Sequence, residues 1–352
     1  MHTRLVKIDP EEPNMELIED AARIIREGGT VAFPTETVYG LGANGLDAQA
    51  VARIFQAKGR PSDNPLILHI ATMNELRPLV REINDNAVKL IRLFWPGPLT
   101  LVLPRSGQVP DEVTGGLDTV AVRMPDHIIA QLLIATAGVP IAAPSANLSG
   151  RPSPTYAQAV WEDLNGKIDM LLDGGSGGMG VESTVLDLTG DIPVLLRPGG
   201  VTLEELCEVL GEVALDLSLT AESAQPKSPG MKYTHYAPRA KVILIESRKP
   251  ITAKAMQHFV DTERLQGKRV GVLATREIAS SVRADVINIM GSACQPLSIA
   301  AGLFRALRDF DHTDVDVIYA EGISEEGIGL AIMNRLRKAA GHNVIKISEQ
   351  ER

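Results

Sequence analysis

Cysteine is almost absent, with Cys207 and Cys294 the two in 352 residues. Two thiols exclude a disulfide-stapled scaffold and a thiolate zinc site, and they fit a reducing cytoplasmic setting. Long apolar runs are lacking as well. The N-terminal MHTRLVKIDPEEP has no apolar stretch of signal-peptide length. The most apolar stretch, 128–143, is interrupted by Gln131, Thr136, Gly138 and Pro140. It falls short of the ~18 uninterrupted apolar residues of a membrane span, so a buried helix followed by a buried strand is expected there, and no membrane contact. No basic stripe is present. Residues 1–210 carry 16 Lys and Arg against 27 Asp and Glu, and residues 211–352 carry 19 against 17. Tight, salt-driven binding of nucleic acid needs such a stripe, which leaves at most weak direct contact with nucleic acid.

Several catalytic signatures are also missing. There is no H-E-x-x-H, and DGGSGGMG (Asp173 to Gly180) is glycine-rich without the GK[ST] ending of a phosphate-binding loop. The seven histidines never pair at metal-ligand spacing, so no metal held by protein side chains alone is expected. EEGIGLAIMNRLRKAA offers a lone G-x-G, which fits a turn ahead of a packed helix.

What is present is an alternation of helix and strand patterns over a length that suits two domains. Met15 to Glu27 has apolar residues at helical spacing and stops at Gly28-Gly29. TVAFP reads as a strand, TETVYGLGANG as a polar, glycine-rich turn, and Asp47 to Lys58 as a second helix. LILHI, LTLVLP, TVAVRMP and VPIAAP read as buried strands, and VESTVLDL and VLLRPG as a strand pair around TGDIP. From about Ala221 the text becomes AESAQPKSPGMKYTHYAPRA. Its first part reads as a linker; PGMKYTHYAP carries two tyrosines, a histidine and a lysine between prolines, which points to a docked segment. KVILIES, KRVGVLAT, DVINIM, VDVIYAEGI and NVIKIS then alternate with helices, as in a parallel three-layer domain. The expected division is 1–211, a linker or lid over 212–238, and 239–352.

Polar residues at strand and loop junctions of the first domain are the candidates for chemistry. Lys58 and Arg60 lie two apart in AKGRPSDNPL, stiffened by Pro61 and Pro65. Cations at a helix end are ordinary, but the prolines would hold these two in fixed directions, as recognition of a polyanion requires. His69 sits in the apolar LILHI, where a satisfied core histidine is the common case. Arg123 ends TVAVRMP and Arg197 ends VLLRPG, and an arginine closing a buried strand is costly unless it meets an anion. PSAN places Ser145 and Asn147 just beyond a strand, and Ser183 and Thr184 open another. Cations and small hydroxyls in an acidic domain point to a pocket for a phosphate-bearing anion.

PTETVYGLG, the K-x-R of Lys58 and Arg60 and the S-x-N of Ser145 and Asn147 resemble the signature of the YrdC-type L-threonylcarbamoyl-AMP synthases. PGMKYTHYAP and the α/β tail resemble the long, two-domain form of that family. The resemblance implies a twisted mixed α/β sheet with a concave cavity, followed by a smaller Rossmann-like parallel α/β domain. It implies condensation of L-threonine, bicarbonate and ATP to threonylcarbamoyl-AMP and pyrophosphate. The product then passes to a tRNA threonylcarbamoyl-transferase complex for modification of the adenosine next to the anticodon. By the same resemblance Lys58 and Arg60 are catalytic and hold the phosphates. Ser62, Asn64, Thr119, Ala143, Ser145, Asn147, Ser153, Arg197, Tyr233 and Tyr236 would complete the ATP site, with Mg²⁺ carried on the triphosphate. Thr35, His69, Arg123 and Ser183 would bind L-threonine. PGMKYTHYAP is expected to fold over the first domain as a lid, a tyrosine hydroxyl reaching the phosphates.

Two other readings stay open on the residues. One is an RNA-binding module, which the net −11 of residues 1–210 opposes. The other is carbamoyl transfer to another protein, for which the chain lacks the acylphosphatase-like and zinc-finger segments of hydrogenase-maturation enzymes.

Overall fold

A computed structural model of the chain describes residues 2–216, 236–247, 250–341 and 343–347. They form two units. The first comprises 2–149, 153–178 and 182–216, and the second gathers 150–152, 179–181 and the residues from 236 onward.

The first unit is built on one mixed sheet of eleven strands: β1 (Arg4–Lys7), β2 (Val31–Phe33), β3 (Gly40–Asn44), β4 (Ile67–His69), β5 (Leu99–Pro104), β6 (Thr119–Arg123), β7 (Ile141–Ala142), β8 (Met170–Asp173), β9 (Thr184–Asp187), β10 (Val194–Arg197) and β11 (Ala214–Leu215). Their spatial order is β1-β8-β2-β3-β7-β4-β6-β5-β9-β10-β11. Helices close one face. The helix Met15–Arg26 starts at Asn14, whose side chain accepts from Glu16 N and Leu17 N, and buries Ile18, Ala21, Ala22 and Ile25. These pack with Phe33, Leu133, Ile134, Met170 and Leu172 in the main core. The apolar stretch after residue 128 is the buried helix Ile128–Ala137 followed by β7, as its composition implies.

One segment departs from expectation. Gly40–Asn44 is a strand, antiparallel to β2 and β7, and not part of a turn. Its glycines serve close packing: a Cβ on Gly42 would stand 2.6 Å from Ile141 and 2.7 Å from Phe33. Apolar periodicity is weak on such a strand, because only Leu41 and Ala43 carry it and neighbours supply the bulk on the glycine face.

The second unit carries a separate sheet of β12 (Lys241–Glu246), β13 (Val270–Thr275), β14 (Val286–Gly291), β15 (Val317–Glu321) and β16 (Val344–Lys346). All its pairings are parallel, in the order β14-β13-β15-β12-β16. The helix Ala253–Leu265 buries Ala255, Met256 and Val260 against Val272 and Tyr319. Gly271, one step from Val272, turns to the opposite face and meets Phe310. Both faces of the sheet are thus covered, as a parallel sheet requires. No helix among the described residues is long and apolar enough to cross a membrane.

Candidate active site

Strand pairing brings distant candidates onto one line. His69, the last residue of β4, is in register with Arg123, the last of β6, and Arg123 with Thr100 of β5. Thr100 is in register with Val185 of β9, and Val185 with Arg197 at the end of β10. Residues two apart along a strand share a face, so Ile67, Ala121 and Val102 lie on the same side as this line. With Val185 and Leu196 they form a small apolar cluster. The sheet therefore offers an apolar floor that ends in two guanidinium groups, an imidazole and hydroxyls.

Each of these side chains is fixed. Arg123, 4% exposed, donates from Nε to Gly97 O at 3.1 Å, from Nη1 to Thr37 Oγ1 at 3.0 Å and from Nη2 to Glu36 Oε1 at 2.5 Å. Arg197 donates from Nε to Ser183 O at 3.0 Å and from Nη2 to Ser183 Oγ at 3.1 Å. Ser183 Oγ lies 2.7 Å from Thr100 Oγ1. The His69 imidazole is buried, with Nδ1 3.2 Å from Ile67 O. Burial first, and the charge of Arg123 second, push its pKa down to about 3, so at neutral pH it is an uncharged hydrogen-bonding group. Thr35 Oγ1 donates to Val38 O at 2.6 Å and lies 2.8 Å from Thr37 Oγ1.

A second group forms around PSAN. The helix Ala48–Lys58 ends where Gly59 takes a left-handed conformation (φ 61°). That stop leaves the Lys58 ammonium inside, donating to Ser145 O and to Asn147 O, each at 2.5 Å. Ser149 N returns a bond to Lys58 O. Ser145 Oγ donates to Asn147 Oδ1, and Leu148 N to Asp163 Oδ2 at 3.1 Å. PTETVYGLG joins the two groups. Its Glu36 and Thr37 hold Arg123, while Tyr39 O accepts from Ala146 N and Leu41 N donates to Pro144 O.

The other candidates are placed as follows. Arg60 Nη2 donates to Pro65 O at 3.1 Å and to Asn64 O at 3.3 Å. Asn64 is buried, yet neither Oδ1 nor Nδ2 has a hydrogen-bond partner among the described residues, which marks it as a ready donor and acceptor. Ser62 is exposed beside it. Ala143 is buried and bonds Ile67 O through its backbone. Ser153 Oγ donates to Glu182 Oε1 at 2.6 Å. Thr119 opens β6 at the end opposite Arg123, about 13 Å along the strand, so the polar line does not include it. Tyr236 lies in the second unit, buried, with its ring 5.0 Å from that of Phe304 and the Arg335 guanidinium 5.7 Å above it. Tyr233, and with it most of the expected lid, lies outside the described residues. Gly174 to Gly178 also satisfies the G-x-S-x-G spacing of a hydrolase elbow, but Ser176 is exposed and no helix follows it, so that geometry is not built.

Sequence reasoning missed Glu36, Thr37, Thr100, Glu182 and Asp163. Glu36 and Thr37 stood inside PTETVYGLG, and Glu182 immediately precedes Ser183. Thr100 had only its polar break in LTLVLP as a signal, and Asp163 none. No group of three or more metal-ligating side chains occurs among the described residues. Forked arginines, hydroxyls and amides suit an anionic substrate, which brings its own divalent ion when it is a nucleoside triphosphate.

Comparison with known proteins decides the family. Residues 23–199 match the Sua5/YciO/YrdC family model, described as "Telomere recombination", and residues 201–341 match "Threonylcarbamoyl-AMP synthase, C-terminal domain". The chain belongs to the Sua5/YciO/YrdC family. It has that family's two-domain arrangement, in line with the resemblance seen in its motifs. The threonylcarbamoyl-AMP synthase of Pyrococcus abyssi is 54% identical over 94% of this chain and 96% of its own length. That of Bacillus subtilis is 52% identical over 94% of each. The crystal structure of P. abyssi Sua5 in complex with L-threonine superposes with a TM-score of 0.94 at 52% identity, covering 98% of this chain and all of that one.

Proposed function

We propose that this chain condenses L-threonine, bicarbonate and ATP to L-threonylcarbamoyl-AMP and pyrophosphate, for threonylcarbamoyl modification of the tRNA adenosine next to the anticodon. The observation that carries the reading is Arg123, buried at the end of the apolar floor with its plane held by Gly97, Thr37 and Glu36, in a chain that matches threonylcarbamoyl-AMP synthases over nearly its whole length. The Sua5 of P. abyssi, its near relative, takes L-threonine.

The chemistry asks for positioning more than for a reactive side chain. The threonine amine and bicarbonate form a carbamate, with loss of water. A carbamate oxygen then attacks the α-phosphorus of ATP, the bond to the bridging oxygen breaks, and pyrophosphate leaves. Such a transfer is governed by alignment and by neutralisation of charge. Arg123 presents the fork that suits the threonine carboxylate. His69 is uncharged, so together with Thr35 and Ser183 it reads the amine and hydroxyl without repelling the amine. Lys58 fixes the backbone of Ser145 and Asn147, which line the nucleotide with Arg60, Asn64 and Ser153. Arg197 stands further along the same floor for the phosphates.

Mg²⁺ carried on the triphosphate would neutralise phosphate charge. The cytoplasm supplies ATP and threonine, and a tRNA threonylcarbamoyl-transferase complex takes the product. The test is direct: the purified chain is incubated with ATP, L-threonine and bicarbonate. Pyrophosphate should appear together with an acyl-AMP of threonylcarbamoyl mass, and only when all three are present. Equal pyrophosphate release without threonine or without bicarbonate overturns the assignment.

A further inference from the structure

Most arginines of the first unit are held by protein partners, Arg60 and Arg197 by carbonyl oxygens and the rest of that group by carboxylates. Arg4 and Arg23 pair with Asp20, Arg26 with Glu19, Arg53 with Asp169, Arg105 with Asp111 and Arg123 with Glu36. Arg77, Arg81 and Arg92 differ. Each is exposed, and among the described residues none of them has a side-chain hydrogen bond or ion pair. Yet the three line one depression of about 630 Å³. Residues 1–210 hold 27 carboxylates, yet among the described residues none forms an ion pair with these three guanidinium groups. Glu82 also lines the depression, and no ion pair joins it to any of the three.

The base of the depression is apolar. Val80 and Ile91 are buried there, Ile83 and Val88 are half-buried, and Met73 is exposed at the edge. The walls come from the turn Arg77–Leu79 and the helix Asp85–Phe94. Backbone bonds from Arg81 N to Pro104 O and from Ser106 N to Leu79 O anchor this turn to the end of β5. Thr100, which belongs to the polar line, lies near the opposite end of that strand, about 13 Å away. None of the candidate active-site residues lines the depression.

An apolar base of small-ligand size under several unpaired guanidinium groups has a defined chemical preference. The volume is that of a small-molecule site, and arginine forks pair bidentately with phosphate and carboxylate. We propose that this depression is a second binding site, for a small organic anion whose phosphate or carboxylate is held by Arg77, Arg81 and Arg92 while its apolar body rests on Val80, Ile83 and Ile91.

The test uses the full chain and three probes that differ in one group: 1-naphthyl phosphate, 1-naphthoate and 1-naphthol, followed by calorimetry at low salt. At least one of the two anions should bind saturably and 1-naphthol at least tenfold more weakly, the stronger anion telling phosphate from carboxylate. The variant R77Q/R81Q/R92Q should lose at least tenfold in affinity for that anion. Its three changes are at exposed positions, so its circular dichroism and its rate of pyrophosphate release should match the parent. Unchanged anion affinity in the triple variant overturns the proposal, as does equal binding of 1-naphthol or no saturable binding of either anion. A single-stranded RNA that binds the same arginines more tightly than both anions, with affinity rising with its length, would make this a nucleic-acid surface and also overturn it.

Discussion

Arg123 and Glu36 meet at 2.5 Å, although 87 positions separate them and only Arg123 is deeply buried. Glu36 takes one Nη2 donor, Gly97 O takes Nε–H and Thr37 Oγ1 takes one Nη1 donor, which leaves one N–H on each Nη for a substrate. On the proposed function, the threonine carboxylate approaching this fork would find it already oriented, which lowers the entropic cost of binding.

Arg123→Lys should therefore act chiefly on threonine. A lysine ammonium cannot reproduce three divergent donors in one plane. The expected result is a rise of about tenfold or more in the KM for L-threonine, equivalent to ~1.4 kcal/mol, with a much smaller change in the KM for ATP. Steady-state pyrophosphate release with each substrate varied in turn gives both numbers. A normal threonine KM in Arg123→Lys removes this residue from the threonine site.

Lys58→Ala should be costly for a different reason. The ammonium holds two carbonyl oxygens, those of Ser145 and Asn147, and both lie in a buried turn. Its removal leaves two acceptors unsatisfied and, on the proposed function, lets the turn drift from the nucleotide it would line. The expected loss is on the order of 2–4 kcal/mol of transition-state stabilisation. Single-turnover formation of threonylcarbamoyl-AMP, with thermal unfolding alongside, separates that loss from plain destabilisation.

The pH response of His69 has a definite sign. Its folded pKa is depressed to about 3 by burial and by Arg123, against about 6.5 in an unfolded chain. Below pH 6.5 the unfolded state takes up a proton that the folded state refuses. Stability thus falls as pH drops from about 6.5 towards 3, with a slope approaching 1.4 kcal/mol per pH unit from this group. It is unaffected above that window. Urea unfolding at pH 7.5 and 4.5 should show a smaller acid loss in His69→Gln than in the parent. The His69 ring resonances should not titrate between pH 8 and 5.

Much of the fold was legible because strands such as LILHI, LTLVLP and TVAVRMP are short apolar runs closed by polar or proline punctuation, and each is a strand here. Arg123 and Arg197 were legible as candidates because they end such runs. Two kinds of feature were not. Gly40–Asn44 offers only Leu41 and Ala43 between its glycines, too short an apolar alternation to read as a strand, and its glycine face is filled by Phe33 and Ile141 from other strands. The partners that orient the site were equally silent. Arg123 meets Glu36, Thr100 meets Ser183, and Lys58 meets Ser145 across 87, 83 and 87 positions. A contact of that separation is written in strand register, which residue types alone do not specify. The family signature supplied what local chemistry did not, by naming the loops that the sheet then brings together.

Thr100 and Ser183 give the last prediction. Their hydroxyls lie 2.7 Å apart, both residues are at most 1% exposed, and Ser183 Oγ also receives Arg197 Nη2. Removing one hydroxyl strands its partner in a place water does not reach, at a cost of ~1–3 kcal/mol. Removing both leaves less unsatisfied. Ser183→Ala should be the more damaging single change, because it also strands an Arg197 N–H, and Thr100→Val should cost less. The double variant should be less destabilised than the sum of the two, with a coupling of about 1 kcal/mol. Arg197 keeps its bond to the Ser183 carbonyl throughout, so the sheet line stays in place and the cycle reads the hydroxyl pair itself. Urea denaturation of the four species supplies the cycle. Strict additivity would mean that the two hydroxyls do not support each other, and that Arg197 alone fixes Ser183.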